Sequence, residues 1–370
     1  MTNIKKIQVT LSEERDYTIY LGQGILASAG KYIQKHVTTN RYFIITHKHL
    51  YDLFADQLKQ SLPDDQLIPL FVNEGESTKS ISCVETLLTS LFEHNVERSD
   101  CVIGLGGGVI GDLAGFVASI CLRGIRLIHI PTTLLAQVDS AIGGKTGVNH
   151  PAGKNLIGSF YQPQLILVDP CVLLSLPYEE MRSGFAEVIK YGVIMDKPLF
   201  TFLVDNKTEL KRFNVKDTFD LWEHIIYCSG KNKASVVQQD EKESHLRATL
   251  NFGHTIGHAL ESMFGTYDFR HGECVAFGMI CAAYIANQMK LLPNNDLTTI
   301  VELICAYDFK LDIPKIDLNV FFKKLLLDKK VKDQTVRFIL PTSIGSVELN
   351  DMVSHELIKD SLTYLNTILR

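Results

Sequence analysis

Three histidines in the second half of the chain have the residue type and spacing of a metal or acid–base site. His254 and His258 lie four residues apart, on one face of a predicted helix, and His271 completes the cluster within eighteen residues. Zinc binds imidazole and carboxylate ligands, whereas a single histidine is more often a core or capping residue. Three together favour a site. Spacing points to His254 and His258 as the ligand pair and leaves open that His271 replaces one of them.

A carboxylate for such a site occurs in segment 184–191, Gly-Phe-Ala-Glu-Val-Ile-Lys-Tyr. Glu187 and Lys190 are neighbours on a largely apolar predicted helix, where charges are costly unless they are paired or bound to a ligand. They form either part of the site or an ordinary helix ion pair. Arg247 and Asn251 share the face of the histidines if that helix begins early, and an arginine there could clamp a phosphate or carboxylate.

Residues 131–163 combine five glycines with Asp139, Lys145, Lys154 and Asn155, directly after a predicted strand. Glycines let the backbone approach a ligand closely, and lysines supply charge for an anion. A solvated loop is the alternative interpretation. Because Gly-Gly-Lys-Thr and Gly-Lys-Asn recur within a dozen residues, the segment predicts a wall around a phosphorylated polar molecule.

Segment 104–116 carries a glycine-rich turn between a predicted strand and a predicted helix. Gly106, Gly108 and Gly111 match G-x-G-x-x-G, and the helix N-terminus offers free N–H groups to a pyrophosphate. The ordinary fingerprint expects an acidic residue about 20 positions on, where this chain has Arg123 and Arg126. We therefore predict a dinucleotide that is bound by a different α/β arrangement.

A charged turn at 74–79 follows another predicted strand. Open α/β sheets bind ligands at the carboxyl ends of their strands, so Glu76 and Lys79 are candidates for cofactor contacts. A solvated turn with a helix cap at Ser77 or Thr78 fits the spacing equally well.

Composition excludes several classes of function. The chain has 370 residues, 46% of them hydrophobic, a net charge of −5 and no lysine–arginine block, so neither nucleic acid nor an anionic membrane is an expected partner. The longest apolar run, 274–286, is too short to span a membrane and predicts a core helix. No apolar stretch follows Met1–Lys6, which argues against a signal peptide. Eight scattered cysteines are typical of reduced thiols in a cytoplasmic protein.

The order of predicted elements indicates two domains. Strands alternate with helices up to about residue 169, which predicts an α/β nucleotide-binding domain with a mainly parallel sheet over 1–170. From 171 to 370 the pattern is mostly helical and closes with two short strands, 336–340 and 346–349, and a final helix. This second domain carries the predicted metal and substrate residues.

Five motifs in order resemble the 3-dehydroquinate synthase family of sugar-phosphate cyclases. They are Gly-Gly-Gly-Val-Ile-Gly-Asp-Leu-Ala-Gly-Phe, the 131–163 segment, Phe-Ala-Glu-Val-Ile-Lys, Leu-Asn-Phe-Gly-His-Thr-Ile-Gly-His-Ala-Leu-Glu and His-Gly-Glu. The resemblance runs in register from about residue 15 to 345.

The resemblance implies a lyase of the shikimate pathway that uses NAD and zinc, or cobalt. It would convert 3-deoxy-D-arabino-heptulosonate 7-phosphate to 3-dehydroquinate and phosphate by transient oxidation at C5, phosphate elimination, re-reduction and an intramolecular aldol closure. The substrate phosphate would itself accept the C6 proton. Glu187, His254 and His271 become the metal ligands, in place of the pair that spacing selects.

The resemblance also implies the other roles in the site. The catalytic residues would be Asp139, Lys145, Asn155 and His258. The substrate-binding residues would be Arg123, supplied by the partner subunit of a homodimer, with Lys154, Lys190, Lys233, Arg247, Asn251 and one of Lys329 and Lys330. The cofactor residues would be Glu76, Lys79, Gly107, Gly108, Val109, Asp112, Thr132, Thr133 and Leu135, together with Asp139, Lys145 and Lys154.

One departure concerns the adenosine ribose. Family members often carry Asp or Asn where this chain has His47, Lys48 and His49; we expect NAD rather than NADP, although Lys48 would tolerate an extra phosphate. The competing functions are another cyclase such as 2-deoxy-scyllo-inosose synthase, a polyol dehydrogenase that accumulates NADH, and a scaffold that has lost its chemistry.

Overall fold

Strands and helices alternate along the first half of the chain in the computed structural model, and helices dominate the second half. The structure describes residues 4–11, 15–243, 246–264, 269–307, 309, 313–314, 316–326, 331–332 and 335–369. The strands of this part are β1 (Lys5–Val9), β2 (Tyr17–Leu21), β3 (Tyr42–Thr46), β4 (Leu67–Phe71), β5 (Cys101–Gly106), β6 (Arg126–Pro131), β7 (Lys145–His150), β8 (Gly153–Phe160), β9 (Leu165–Val168), β10 (Val331–Lys332), β11 (Thr335–Val336), β12 (Phe338–Ser343) and β13 (Ser346–Asn350). The helices are α1 (Ala29–Ile33), α2 (Lys48–Lys59), α3 (Ile81–Glu93), α4 (Gly108–Ile120), α5 (Tyr178–Ile194), α6 (Lys197–Asp205), α7 (Lys207–Leu210), α8 (Phe219–Gln239), α9 (His254–Phe264), α10 (His271–Gln288), α11 (Asn294–Ala306), α12 (Leu318–Leu326) and α13 (His355–Ile368).

One sheet organises the first half, with the strand order β1-β2-β9-β6-β5-β3-β4. β1 pairs antiparallel with β2, and the remaining neighbours are parallel. β3, β5 and β9 are buried along their whole length, as expected of strands that are covered on both faces. Ile44 and Ile103 belong to one apolar core, and Phe43 and Val102 belong to another, because successive side chains point to opposite faces. The predicted α/β half with a mainly parallel sheet is confirmed.

Contacts divide the chain into two compact units: Met1–Leu176 with Val215–Lys242, and Pro177–Asn214 with Glu243–Arg370. The predicted division into 1–170 and 171–370 differs from these units mainly in 215–242, the segment that contains α8. This helix packs against β1 and against a π-helical turn, Ala136–Ser140, and it buries Trp222 and Ile225. Helical periodicity shows that α8 has an apolar face, but it does not show which core that face joins.

β7 and β8 form an antiparallel hairpin inside segment 131–163, where the sequence predicts no strand. Lys145 pairs with Phe160, and Gly147 pairs with Gly158. A Cβ on Gly158 would lie 2.1 Å from the carbonyl oxygen of Thr146, so the two strands approach at a distance that only glycine allows. Glycine is depleted in strands, so the glycines that allow this close pairing also weaken the strand pattern in the sequence. For this reason the sequence does not predict β7 and β8.

α10 is the central helix of the second unit and packs against α5, α9 and α13. It is buried along most of its length, as the apolar run 274–286 predicts. A Cβ on Gly278 would lie 1.9 Å from the Gly253 carbonyl oxygen, and one on Gly272 would lie 1.9 Å from that of Ser183. These glycines let α10 lie close to α5 and to the turn before α9, and α5, α9 and α10 are the elements that carry the candidate metal ligands. None of the described helices combines the length and the hydropathy that a membrane span requires.

Candidate active site

The three histidines that the sequence singles out come together at the N-terminal ends of α9 and α10. His254 is the first residue of α9, His258 lies one turn later, and His271 is the first residue of α10. One side-chain nitrogen from each lies within 4.8 Å of the others. The predicted cluster is therefore present as a geometric group.

Glu187 reaches the same cluster from α5. Its Oε1 lies 3.4 Å from His254 Nε2 and 3.5 Å from His271 Nε2, and this oxygen has no hydrogen-bond partner among the described residues. Ligands held at about 2.0–2.1 Å from a tetrahedral zinc ion are separated by about 3.3 Å. Both distances from the Glu187 oxygen to the histidine nitrogens are therefore those expected between two ligands of one ion.

The Nδ1 atoms of His254 and His271 form hydrogen bonds within the protein. His254 Nδ1 donates to the carbonyl oxygen of Phe252 at 3.0 Å, and His271 Nδ1 donates to Glu261 Oε2 at 3.0 Å. A bond at Nδ1 fixes the ring and leaves Nε2 for a metal, as is usual in zinc sites. Sequence reasoning missed Glu261, although it closes the quoted motif and lies three residues after His258, on the same helical face.

Neighbouring charges shift the pKa values of Glu187 and His271. Burial raises the pKa of Glu187, but the Lys190 ammonium and His254 outweigh burial and hold that pKa well below 4.5. Burial lowers the pKa of His271, and its contacts with Glu187 and Glu261 outweigh burial and raise the pKa to about 9. Glu187 is therefore a carboxylate, as a metal ligand must be. Of the two alternatives for the Glu187–Lys190 pair, the structure contains the helix ion pair, between Lys190 Nζ and Glu187 Oε2, and the role of Glu187 as a ligand stays a prediction.

A second ion pair fixes the start of α10. Glu273 accepts hydrogen bonds from the backbone N–H of Arg270, at 2.9 Å, and from the guanidinium of Arg182. Glu273 is 1% exposed. The carboxylate of the His-Gly-Glu motif thus holds the helix end that presents His271.

The remaining predicted substrate residues of this unit precede α9. Arg247 and Asn251 lie in a 3₁₀ helix, Leu246–Asn251, and Gly253 with φ +77° separates that helix from α9. The sequence places Arg247 and Asn251 on the helical face of the histidines only if that helix begins early. Because α9 begins at His254, the two residues do not lie on that face. Arg247 is 1% exposed, and Asn251 Nδ2 donates to Glu243 Oε1 at 3.2 Å. Lys329 and Lys330 lie outside the described residues.

The first unit presents the glycine-rich turn at the carboxyl end of β5. Gly107 is the N-cap of α4 and provides no side-chain cap, so the first N–H groups of the helix are available to an anion. A Cβ on Gly107 would lie 2.8 Å from Thr133 Cγ2. The other predicted cofactor residues nearby are Gly108 and Val109 in the first turn of α4, buried Thr132 after β6, and Leu135, the N-cap of the π-helical turn.

Lys79 joins several predicted residues of the first unit. Its ammonium donates to Asp112 Oδ2 at 2.7 Å and to Asn155 Oδ1 at 2.5 Å, and it lies 3.5 Å from Glu76 Oε1. Burial raises the pKa of Asp112, and Lys79 only partly offsets that rise. Lys79 is 4% exposed, so 74–79 is not simply a solvated turn. Its helix cap is also not at Ser77 or Thr78, since Ser80 caps α3 by accepting from Cys83 N–H.

Asp139 and Lys233 form a second charged pair in this unit. The Lys233 ammonium, on α8, donates to Asp139 Oδ1 in the π-helical turn, and Lys233 is 7% exposed. Arg123, Lys145 and Lys154 are exposed. Arg123 has φ +69°, a conformation that is uncommon for a residue with a Cβ.

Comparison with known proteins identifies the family. The family model for the 3-dehydroquinate synthase N-terminal domain matches residues 69–183, and that for the C-terminal domain matches 184–331. The chain is 44% identical to a 3-dehydroquinate synthase of Rippkaea orientalis over 94% of its length and 95% of the relative. It is 43% identical to that of Pseudoalteromonas translucida over 94% of its length and 96% of the relative. A crystal structure of 2-deoxy-scyllo-inosose synthase with carbaglucose-6-phosphate, NAD+ and Co2+ is similar with a TM-score of 0.84, at 30% identity, over 96% of this chain and 98% of the other. The chain belongs to the 3-dehydroquinate synthase family, as its five motifs indicate.

Proposed function

We propose that the chain converts 3-deoxy-D-arabino-heptulosonate 7-phosphate to 3-dehydroquinate and phosphate, with Glu187, His254 and His271 as its metal ligands. The proposal depends above all on the distances of 3.4 and 3.5 Å from Glu187 Oε1 to the two Nε2 atoms. His258 belongs to the same cluster, and its ring centroid is as close to that of His254, at 5.3 Å, as the centroid of His271 is, at 5.4 Å. The match to the family motif, not these distances, is our reason to assign His258 to the substrate phosphate and not to the ion.

The nucleotide belongs at the glycine-rich turn. A side chain at Gly107 or Gly108 would crowd Thr133 or Ser140, so the turn stays bare backbone, and α4 begins there without a side-chain cap. Glu76 and Asp112 both form ion pairs with Lys79 nearby. When bound, NAD supplies a hydride acceptor, and zinc or cobalt supplies Lewis acidity at a substrate hydroxyl.

The residues of the chain supply binding, orientation and charge. Lys190 keeps Glu187 ionised and offers its ammonium to the substrate carboxylate, and Lys233 has the same chemistry beside Asp139. Arg247 and Asn251 are assigned to the substrate because they carry buried or half-buried hydrogen-bonding groups just before the histidines. Lys145, Lys154 and Asn155, on the hairpin, suit the phosphate.

Phosphate release tests the reaction. Purified protein is mixed with the heptulosonate phosphate and a catalytic amount of NAD, and phosphate is measured before chelation, after chelation and after zinc is restored. We expect metal-dependent release, 3-dehydroquinate as product and no net NADH. Turnover of glucose 6-phosphate in its place would assign the chain to the 2-deoxy-scyllo-inosose branch, and NADH accumulation on a polyol would assign it to the dehydrogenases.

We also propose a homodimer in which Arg123 enters the partner's site. Arg123 is exposed, and its positive φ holds it in a defined turn after α4. Differently tagged Arg123→Ala and His271→Ala chains test this, because a mixed dimer contains one complete site if Arg123 acts across the interface. We expect each homodimer to be inactive and the mixed dimer to regain about half of the wild-type activity. A monomer in sedimentation, or no recovery, would contradict the proposal.

We place the enzyme in the cytoplasm. All eight cysteines lie among the described residues, and none of them forms a disulfide bond, which suits a reducing compartment. A cell fractionation in which the chain is recovered outside the cytoplasm would contradict this placement.

A further inference from the structure

A small internal cavity lies under the glycine-rich turn of the first unit. Gly104 of β5, Gly107 and Gly111 line one side of it, and His129 of β6 and Ser140 line the other. The cavity has a volume of about 10 Å³, which is about the space that one water molecule needs.

Two polar atoms of this cavity lack a partner. His129 Nδ1 and Ser140 Oγ are buried and have no hydrogen-bond partner among the residues that the structure describes. His129 is 4% exposed, and burial lowers its pKa to about 4, so the ring is neutral near pH 7 and Nδ1 can either donate or accept. A buried polar atom of this kind requires an explanation, and one ordered water is the simplest.

The same two side chains lie against glycines, His129 beside Gly104 of β5 and Ser140 beside Gly108 in the first turn of α4. A Cβ on Gly104 would lie 3.2 Å from His129 Nδ1, and a Cβ on Gly108 would lie 3.1 Å from Ser140 Oγ. The two glycines therefore leave room for the side chains of His129 and Ser140. Because Ser140 lies against Gly108, the groups that Ser140 contacts in the cavity bear on the backbone of the first turn of α4.

We propose that one water molecule binds between His129 Nδ1 and Ser140 Oγ, and that this bridge positions the glycine-rich turn for the nucleotide pyrophosphate. The water site stands on the cavity alone, and the positioning role rests on the proposed function. A water with two side-chain partners and nearby backbone groups makes hydrogen bonds nearly as favourable as direct ones. His129 and Ser140 are positioning residues, because they act through the backbone of the turn.

A crystal structure of the nucleotide-free protein, at a resolution that shows single waters, tests the site itself. We expect one ordered water within hydrogen-bond distance of both side-chain atoms. A dry cavity, or a direct hydrogen bond between His129 and Ser140, would overturn the proposal.

Variants test the positioning role through NADH affinity, measured by fluorescence titration. His129→Asn keeps a polar group near the Nδ1 position, whereas His129→Leu has a similar shape without it. We expect NADH affinity to fall about tenfold in His129→Leu and Ser140→Ala and by less than threefold in His129→Asn, with zinc content and kcat at saturating NAD unchanged. Ser119→Ala is the matched control, because Ser119 lies on α4 away from the cavity, where its hydroxyl donates to Phe116 O and accepts from Ser159 Oγ.

The outcomes separate this proposal from the proposed function. Wild-type NADH affinity in both His129→Leu and Ser140→Ala would overturn the positioning role, as would an equal loss in Ser119→Ala. A wild-type protein that binds no NADH would contradict the proposed function and the positioning role together, while the crystal structure still decides the water site. If His129→Leu fails to fold, Ser140→Ala decides.

Discussion

At the scale of single residues, the candidate metal site is arranged by partners that are not ligands themselves. Phe252 O and Glu261 hold the Nδ1 atoms of His254 and His271, and Lys190 holds Glu187 in its charged form. Each partner fixes the ring orientation or the charge of a candidate ligand independently of a metal ion. Metal affinity should therefore depend on these partners as well as on the ligands.

Removing the Glu261 carboxylate tests this dependence. We expect Glu261→Ala to lower zinc affinity by roughly 10- to 100-fold, because His271 loses the group that fixes its ring and tautomer. Competition with a coloured chelator measures the affinity, and NADH affinity should stay unchanged. Glu302→Ala, at an exposed position of α11 in the same unit, is the control. Zinc affinity equal to wild type in Glu261→Ala would show that Glu261 does not orient the ligand.

The residues that follow β3 bear on the choice between NAD and NADP. β3 lies beside β5 in the sheet, so the residues after β3 are where an acidic side chain reads the ribose in ordinary dinucleotide-binding folds. This chain has His47, whose Nδ1 donates to Val72 O at 3.2 Å, and Lys48, which is paired with Asp52. A cation at this position is the group that would tolerate a 2′-phosphate.

We expect wild-type protein to bind NADH more tightly than NADPH, and Lys48→Glu to widen that difference. The charge reversal should weaken NADPH binding about tenfold and leave NADH binding within about twofold, because only NADPH carries the 2′-phosphate. Lys59→Glu, at the other end of α2, controls for the change in net charge. Equal affinities of wild type for the two nucleotides would contradict the ribose assignment.

At the scale of elements, glycines decide which segments can meet. Gly147 and Gly158 face each other in the β7–β8 hairpin, and Gly278 lets α10 lie against the Gly253 carbonyl before α9. The elements that these contacts join carry candidate site residues. Adding one methyl group at such a glycine therefore tests whether the two elements must approach this closely.

Gly158→Ala should lower the free energy of unfolding by about 1–3 kcal/mol, because its Cβ would lie 2.1 Å from Thr146 O and the hairpin must shift. Substrate affinity should fall with it, since Asn155 lies on the same strand, whereas zinc binding in the second unit should not change. Chemical denaturation and equilibrium substrate binding measure the two effects. Gly153→Ala is the control in the same strand, because its Cβ would meet only the flexible Leu156 side chain, at 3.3 Å. A Gly158→Ala protein as stable as Gly153→Ala would refute the close approach.

Local patterns predict some of these elements well and others poorly. The parallel sheet, the core helix α10 and the glycine-rich turn before α4 each have a pattern of their own, and the structure has all three. The start of α9 depends on the positive φ of Gly253, and the place of α8 depends on contacts far away in sequence. The spacing of the histidines in the sequence identifies the cluster but does not show which of them are the metal ligands. The distances to Glu187 arise only when α5, α9 and α10 pack together.

At the scale of the whole molecule, each unit has a core of its own. The first unit has apolar clusters on both faces of its sheet. The second has a buried aromatic group in which the ring centroids of Phe185 and Tyr307 are 4.3 Å apart and those of Phe185 and Phe213 are 5.5 Å apart. Units with separate cores can unfold in separate steps.

The single tryptophan makes these steps visible. Trp222 lies on α8 and is fully buried in the first unit, so its fluorescence reports the unfolding of that unit, whereas far-UV circular dichroism also reports the many helices of the second. The proposed metal ligands all lie in the second unit. A ligand at 100 times its Kd stabilises the state that binds it by about 2.7 kcal/mol, so zinc removal should lower the midpoint of the circular dichroism transition more than that of the fluorescence transition.

NADH should raise the fluorescence midpoint, because its proposed residues lie in the first unit. His271→Ala protein, with and without added zinc, is the control: it should show no zinc-dependent shift by either method. Coincident transitions that move together with zinc and with NADH would mean that the two units unfold as one, and Trp222 would then report the whole chain.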